Sequence, residues 1–149
     1  MKKIILFISI FGFIYSNSIT EKTKSMKKMD GYLNMFWDNK SGKLWLEISD
    51  FDQEFLYVNS LMAGMGSNDV GLDRGQLGNS RIVYFHRIGP KILLIQPNYR
   101  YRANTDDEKE KASVADGFAK STIWGFRVEE EENGKVLVDA TDFFLNDAH

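Results

Sequence analysis

From Gly31 onward the chain alternates apolar and polar positions with a period of two, the pattern of strands that turn one face to a core. Tyr32-Leu-Asn-Met-Phe-Trp37 and Lys43-Leu-Trp-Leu-Glu-Ile48 flank Asp38-Asn-Lys-Ser-Gly42, whose residues suit a hairpin turn. In the second run Leu44, Leu46 and Ile48 share one face, and Trp45 and Glu47 the other. Glu54 to Leu61 reads as a third strand, and Ile82 to His86 and Lys91 to Gln96 as two more around Arg87-Ile-Gly-Pro90. The run Ile92-Leu-Leu-Ile95 does not alternate, which predicts a strand covered on both faces. Thr122 to Val128 and Lys135 to Asp139 read as a final hairpin around Glu129 to Gly134. Helical periodicity shows once. Thr105-Asp-Asp-Glu108 is a capping box that predicts a helix from about Asp106 to Lys120, with Ala112, Ala115, Phe118 and Ala119 on one face. Residues 31–149 are thus expected to form a mainly β domain: an antiparallel sheet, as a sandwich or a partly open barrel, with one short α-helix.

The first 30 residues follow a different logic. Lys2 and Lys3 precede the apolar run Ile4 to Ile14, and Ser16-Asn-Ser18 places small residues at the −3 and −1 positions of a cleavage site after Ser18. The run is shorter than the roughly 18–20 residues a spanning helix needs. Residues 1–18 are therefore expected to be a signal peptide, and the mature chain to be periplasmic or secreted, with no membrane attachment after cleavage. Residues 19–30, with Lys22, Lys24, Lys27 and Lys28, are expected to be a mobile polar lead-in. No cysteine is present, so the leader has no residue to lipidate and no disulfide staples the fold.

The chain has a formal net charge of −2, and losing Lys2 and Lys3 makes it more acidic still. That balance offers no overall attraction to nucleic acid or to anionic lipid. Apolar residues are 43% of the chain, enough to build a core.

Catalytic motifs are missing. His86 and His149 are the only histidines, and neither belongs to a His-Glu-x-x-His motif, in which two ligands one helical turn apart bind zinc. No serine sits in a Gly-x-Ser-x-Gly elbow. His86, inside a strand pattern, is expected to be a packed or surface histidine. The glycine-rich stretch Gly64 to Gly78 starts like a dinucleotide fingerprint but has Asp69 where the third glycine belongs. Asn68, Asp69 and Asp73 are weak calcium candidates, because hard cations take clustered oxygens. The competing reading is that these side chains cap turns, with Asp73 paired to Arg74 and the glycines supplying positive φ. A hydrolase using Asp69 and Asp73 has no visible base or oxyanion partner. Trp37, Trp45 and Trp124 all fall in strands, where large rings are core or, on an exposed face, a platform for sugars or peptides.

Three stretches carry a family resemblance: Gly66-Ser-Asn-Asp-Val-Gly-Leu-Asp-Arg-Gly-Gln-Leu-Gly78, Arg87-Ile-Gly-Pro-Lys-Ile-Leu-Leu-Ile-Gln-Pro-Asn-Tyr99 and Asp139-Ala-Thr-Asp-Phe-Phe-Leu-Asn-Asp-Ala148. With a weaker match over Gly31 to Ser60, they resemble the uncharacterised β-rich N-terminal domain of large secreted bacterial zinc-dependent metalloproteases. The resemblance implies a non-catalytic domain acting in folding, inhibition or substrate presentation for a downstream peptidase domain. It places zinc in that domain and no cofactor here. The relatives continue well past the position of His149, so the resemblance also implies that this chain is a fragment lacking the peptidase part. The alternative is an independent secreted binding module for carbohydrate, peptide or calcium.

Overall fold

A computed structural model describes residues 18–64, 71 and 73–145. The leader residues 1–17 and the calcium candidates Asn68 and Asp69 lie outside the described residues. Eight strands form one antiparallel sheet: β1 (Lys27–Met29), β2 (Asn34–Asp38), β3 (Lys43–Ile48), β4 (Phe55–Tyr57), β5 (Arg81–Ile88), β6 (Lys91–Gln96), β7 (Ser121–Glu132) and β8 (Lys135–Asp139). Their spatial order is β1-β2-β3-β8-β7-β6-β5-β4. Three short helices accompany them: α1 (Ile19–Thr23), α2 (Glu108–Gly117) and α3 (Thr141–Phe144). The mainly β, antiparallel class is as expected, with three helices where the pattern gave one.

Strand alternation sorts the core. Leu46 and Ile48 of β3, Val83 and Phe85 of β5, Ile92 and Leu94 of β6 and Val136 and Val138 of β8 are buried in a single cluster. Because that cluster draws on strands from one end of the sheet to the other, the sheet must curl around it. Its two ends approach where the Tyr32 ring, between β1 and β2, lies 5.6 Å from the Phe55 ring of β4. β1 and β4 nonetheless do not pair, so the barrel stays open along one seam. Both seam strands are three residues long, and β1 carries Lys27 and Lys28, two ways of discouraging edge-to-edge association.

Turn chemistry sets the hairpins. Asn133 and Gly134 both have positive φ (52° and 78°) between the paired residues Glu132 and Lys135, the primed geometry that matches strand twist. This two-residue turn lengthens β7 to Glu132, beyond the expected end at Val128. The glutamate run stays in the strand because it is neutralised: Glu130 pairs with Lys22 at 3.2 Å and Glu131 with Arg87 at 2.6 Å. The non-alternating β6 has Ile92, Leu94 and Ile95 buried and Leu93 half-buried, as expected for a strand with little solvent on either face.

The lead-in forms a helix and a strand, and the helix packs on the sheet. The Ser18 hydroxyl accepts from the Glu21 N–H and caps α1, and Ile19 is buried beneath it against Phe36, Trp45 and Leu137 on the outer face of the sheet. Glu132 Oε2 accepts from both the N–H and the hydroxyl of Thr20 at 2.9 and 2.7 Å. Lys22 Nζ stands 4.2 Å over the Trp45 ring. Ile19 is the apolar side chain that α1 buries, Thr23 is buried with it, and Thr20 and Lys22 hold the helix through polar contacts.

Two other expectations shift. The strand expected over Glu54 to Leu61 contracts to Phe55–Tyr57, followed by a single bridge between Ser60 and Leu77. The expected Asp106–Lys120 helix contracts to Glu108–Gly117, because the Asp107 carboxylate, which accepts from Lys109 N–H, supplies the cap. No residue of α2 is buried. Its small apolar face borders a groove instead of sinking into the core.

Candidate functional site

The side chains of β5 that point away from the core are Ile82, Tyr84 and His86, the alternates of Val83 and Phe85. Two loops and α2 stand around them. On one side, the loop after β3 places Asp52 and Glu54. On the other, the loop after β6 brings Asn98, Tyr99, Tyr101 and Arg102, with Val114 and Phe118 of the α2 segment behind. Together they enclose a hollow of about 830 Å³. A second hollow of about 500 Å³ adjoins it, sharing Pro97, Asn98 and Tyr99 and reaching Arg81, Ile82 and Arg100.

The acidic side is internally engaged. Asp52 Oδ1 lies 2.6 Å from His86 Nδ1, and the Tyr84 ring meets the imidazole edge-on at 6.4 Å. Asp52 has φ 58°, a left-handed conformation that non-glycine side chains adopt at a cost and that asparagine and aspartate tolerate best. Its N–H donates to the Phe85 carbonyl at 2.8 Å, which holds the turn in place. Glu54 accepts from the Tyr99 hydroxyl, and that contact holds the phenol above its ordinary pKa.

The basic side is not so engaged. Arg102 lies 4.9 Å from the Tyr99 ring and donates from Nε to the Tyr99 carbonyl at 3.2 Å. Arg100 lies 5.8 Å from the Tyr101 ring and Lys120 Nζ 5.7 Å from the Tyr84 ring. Among the described residues none of Arg81, Arg100, Arg102 or Lys120 forms an ion pair, while Lys111 is held by Glu108 at 2.7 Å. Tyr101 and Phe118 stack at 4.0 Å and 10°, fixing the wall that α2 shares with the loop. Guanidinium groups laid over rings keep their in-plane N–H edges available to acceptors. The groove therefore offers a guest aromatic surface and unspent positive charge.

The site candidates from sequence fare differently. Asp73 is in the described part: its N–H donates to Gln76 Oε1 at 3.2 Å and its carbonyl accepts from Gln76 N–H at 3.0 Å. No ion pair joins it to Arg74 among the described residues. Gly71 and Gly75 do adopt positive φ, 65° and 79°. The neck of that loop is zipped by Gly78 N–H to Asn59 O and Gly75 N–H to Leu61 O, both 2.8 Å. Among the described residues no three histidine, cysteine, aspartate or glutamate side chains converge as a metal site. His86 is a surface strand histidine whose carboxylate partner, 34 positions away, carries no local sequence signal. The legible signal for the groove was Asn98-Tyr99-Arg100-Tyr101-Arg102, dense alternation of rings and guanidiniums just after a strand.

Residues 75–149 match the family model of a domain of unknown function, DUF5117, and residues 16–64 that of a second domain of unknown function, DUF5118. No curated protein and no solved structure matches the chain.

Proposed function

We propose that this chain, which belongs to the DUF5117 family, is a non-catalytic module of a secreted zinc-dependent metalloprotease-like protein, presenting polypeptide to a peptidase domain encoded downstream. The observation that carries this reading is the groove beside β5: aromatic, open, and charged in a way that leaves cations for a guest. Such a surface binds and orients, and binding energy collected away from the reacting bond is a recognised way to raise the efficiency of cleavage. Secretion is supported by Lys2, Lys3 and the apolar run after them. Family resemblance over three stretches supports the link to a zinc peptidase, whose metal would sit in the downstream domain.

The test joins gene and enzyme. The reading frame beyond the codon for His149 should encode a His-Glu-x-x-His domain. Expressed with and without residues 1–149, that domain should cleave unfolded polypeptide with a higher KM when the module is missing and an unchanged kcat, the pattern of lost uniform binding. A frame without the motif, or identical kinetics for the two forms, refutes the proposal. A stand-alone binding module is the second reading, favoured by the same groove, and an immediate stop codon would select it.

A further inference from the structure

We propose that the two joined hollows dock an extended, acidic polypeptide segment, with its carboxylates on Arg81, Arg100, Arg102 and Lys120 and its apolar side chains against Leu56 and Ile82. The inference deepens the presentation role and rests on it for the choice of a polypeptide guest. Charge complementarity is the first argument. The chain is acidic overall, at −2, yet five basic residues (Arg81, Arg100, Arg102, Lys111 and Lys120) line these hollows against two acidic ones, Asp52 and Glu54, which hydrogen-bond to His86 and Tyr99. An acidic chain docking here would meet more positive than negative side chains, which favours one docking orientation.

Apolar positions beside the groove favour a polypeptide over an acidic polysaccharide. Leu56 and Ile82 are register partners on β4 and β5, exposed at 66% and 43%, and they continue the groove toward the edge of the sheet. β4 is the last strand of the sheet, paired on one side by β5 and on the other by no described strand. This edge, only three residues long and unpaired by any described strand, and the apolar step beside it are features that an extended peptide uses, through a few backbone hydrogen bonds and alternate side chains. A chain of sugar rings has no amide ladder to add and no aliphatic side chains to place there.

The purified full chain should be titrated with fluorescently labelled decapeptides that alternate glutamate with leucine, and with versions carrying lysine or serine for glutamate. We expect the glutamate peptide to bind at least about tenfold (~1.4 kcal/mol) more tightly than the lysine peptide. The double variant Arg81→Ser/Arg102→Ser should weaken it by about tenfold as well, while Lys91→Ser, which removes an exposed charge on β6 outside these hollows, should leave it within about twofold. Unchanged melting curves will show that the variants fold. Equal binding of all three peptides overturns the proposal, as does equal weakening by Lys91→Ser. Tighter binding of polygalacturonate that displaces the peptide assigns the groove to polysaccharide and overturns it too. If the downstream domain exists and needs the module but no acidic peptide binds, this inference fails while the presentation role stands.

Discussion

The docking of α1 can be put at risk with one substitution. Ile19 is 3% exposed and packs against Phe36, Trp45 and Leu137, residues of three different strands. Ile19→Ala removes three carbons, roughly 2.4 kcal/mol of transfer free energy at about 0.8 kcal/mol for each buried methylene. The rigid floor of strand residues collapses little, so a cavity term adds to this and the total should fall within about 2–4 kcal/mol. For a domain of this size each kcal/mol shifts the melting temperature by roughly 3–4 °C, which predicts a loss of about 6–16 °C. The assay is thermal unfolding followed by far-ultraviolet circular dichroism. Leu137→Ala serves as the partner in a double-mutant cycle, since residues in one cluster should couple by about 0.5–3 kcal/mol. A shift under 2 °C for Ile19→Ala, together with strict additivity, would mean that α1 does not rest on the sheet in solution.

Two further outcomes follow from polar contacts. Burial alone would raise the Asp139 pKa, but Lys43 Nζ at 2.7 Å and the Thr141 N–H and hydroxyl outweigh it and hold the carboxyl below its ordinary value. A folded pKa below the unfolded one contributes stability that is present above the ordinary carboxylate range and lost as pH falls through the folded value. Asp139→Asn should therefore flatten the acid limb of a plot of melting temperature against pH, and an unaltered limb would contradict the assignment. At Asp52, with φ 58°, a glycine relieves the backbone while an alanine keeps the strain, and both lose the exposed His86 contact, worth about 1 kcal/mol or less. Asp52→Gly should be more stable than Asp52→Ala by about 1 kcal/mol in urea unfolding; the reverse order would rule out a strained turn.

What the sequence made legible was set by local physics. Alternation placed β2, β3, β5, β6 and β8 within a residue or two, because each has one face in a shared core and side chains must take turns. It failed where tertiary partners decide the outcome. The glutamates of β7 read as loop until Lys22 and Arg87 arrive from distant elements to pair with them. Ile19 in a lysine-rich stretch looks solvated until Phe36, Trp45 and Leu137 form its seat. For the groove, the strand around Tyr84 was legible, but the Asp52–His86 and Glu54–Tyr99 contacts join residues 34 and 45 positions apart, and no periodicity encodes such meetings.

The strand order also carries a timetable. β3 finds its second neighbour only in β8, with Leu46 opposite Val138 and Ile48 opposite Val136. Those partners are made roughly 90 residues apart, so at about 5–20 residues per second the ribosome delivers β8 some 5–18 s after β3. Until then the hairpin of β2 and β3 has an open edge and an uncovered aliphatic face. The stretch matched by DUF5118 thus supplies strands to both flanks of the sheet, around a centre made entirely by the stretch matched by DUF5117. Neither stretch can complete its ladder alone, because β3 pairs with β8 and β4 with β5. The two family matches thus meet within one continuous sheet, divided at the loop between β4 and β5.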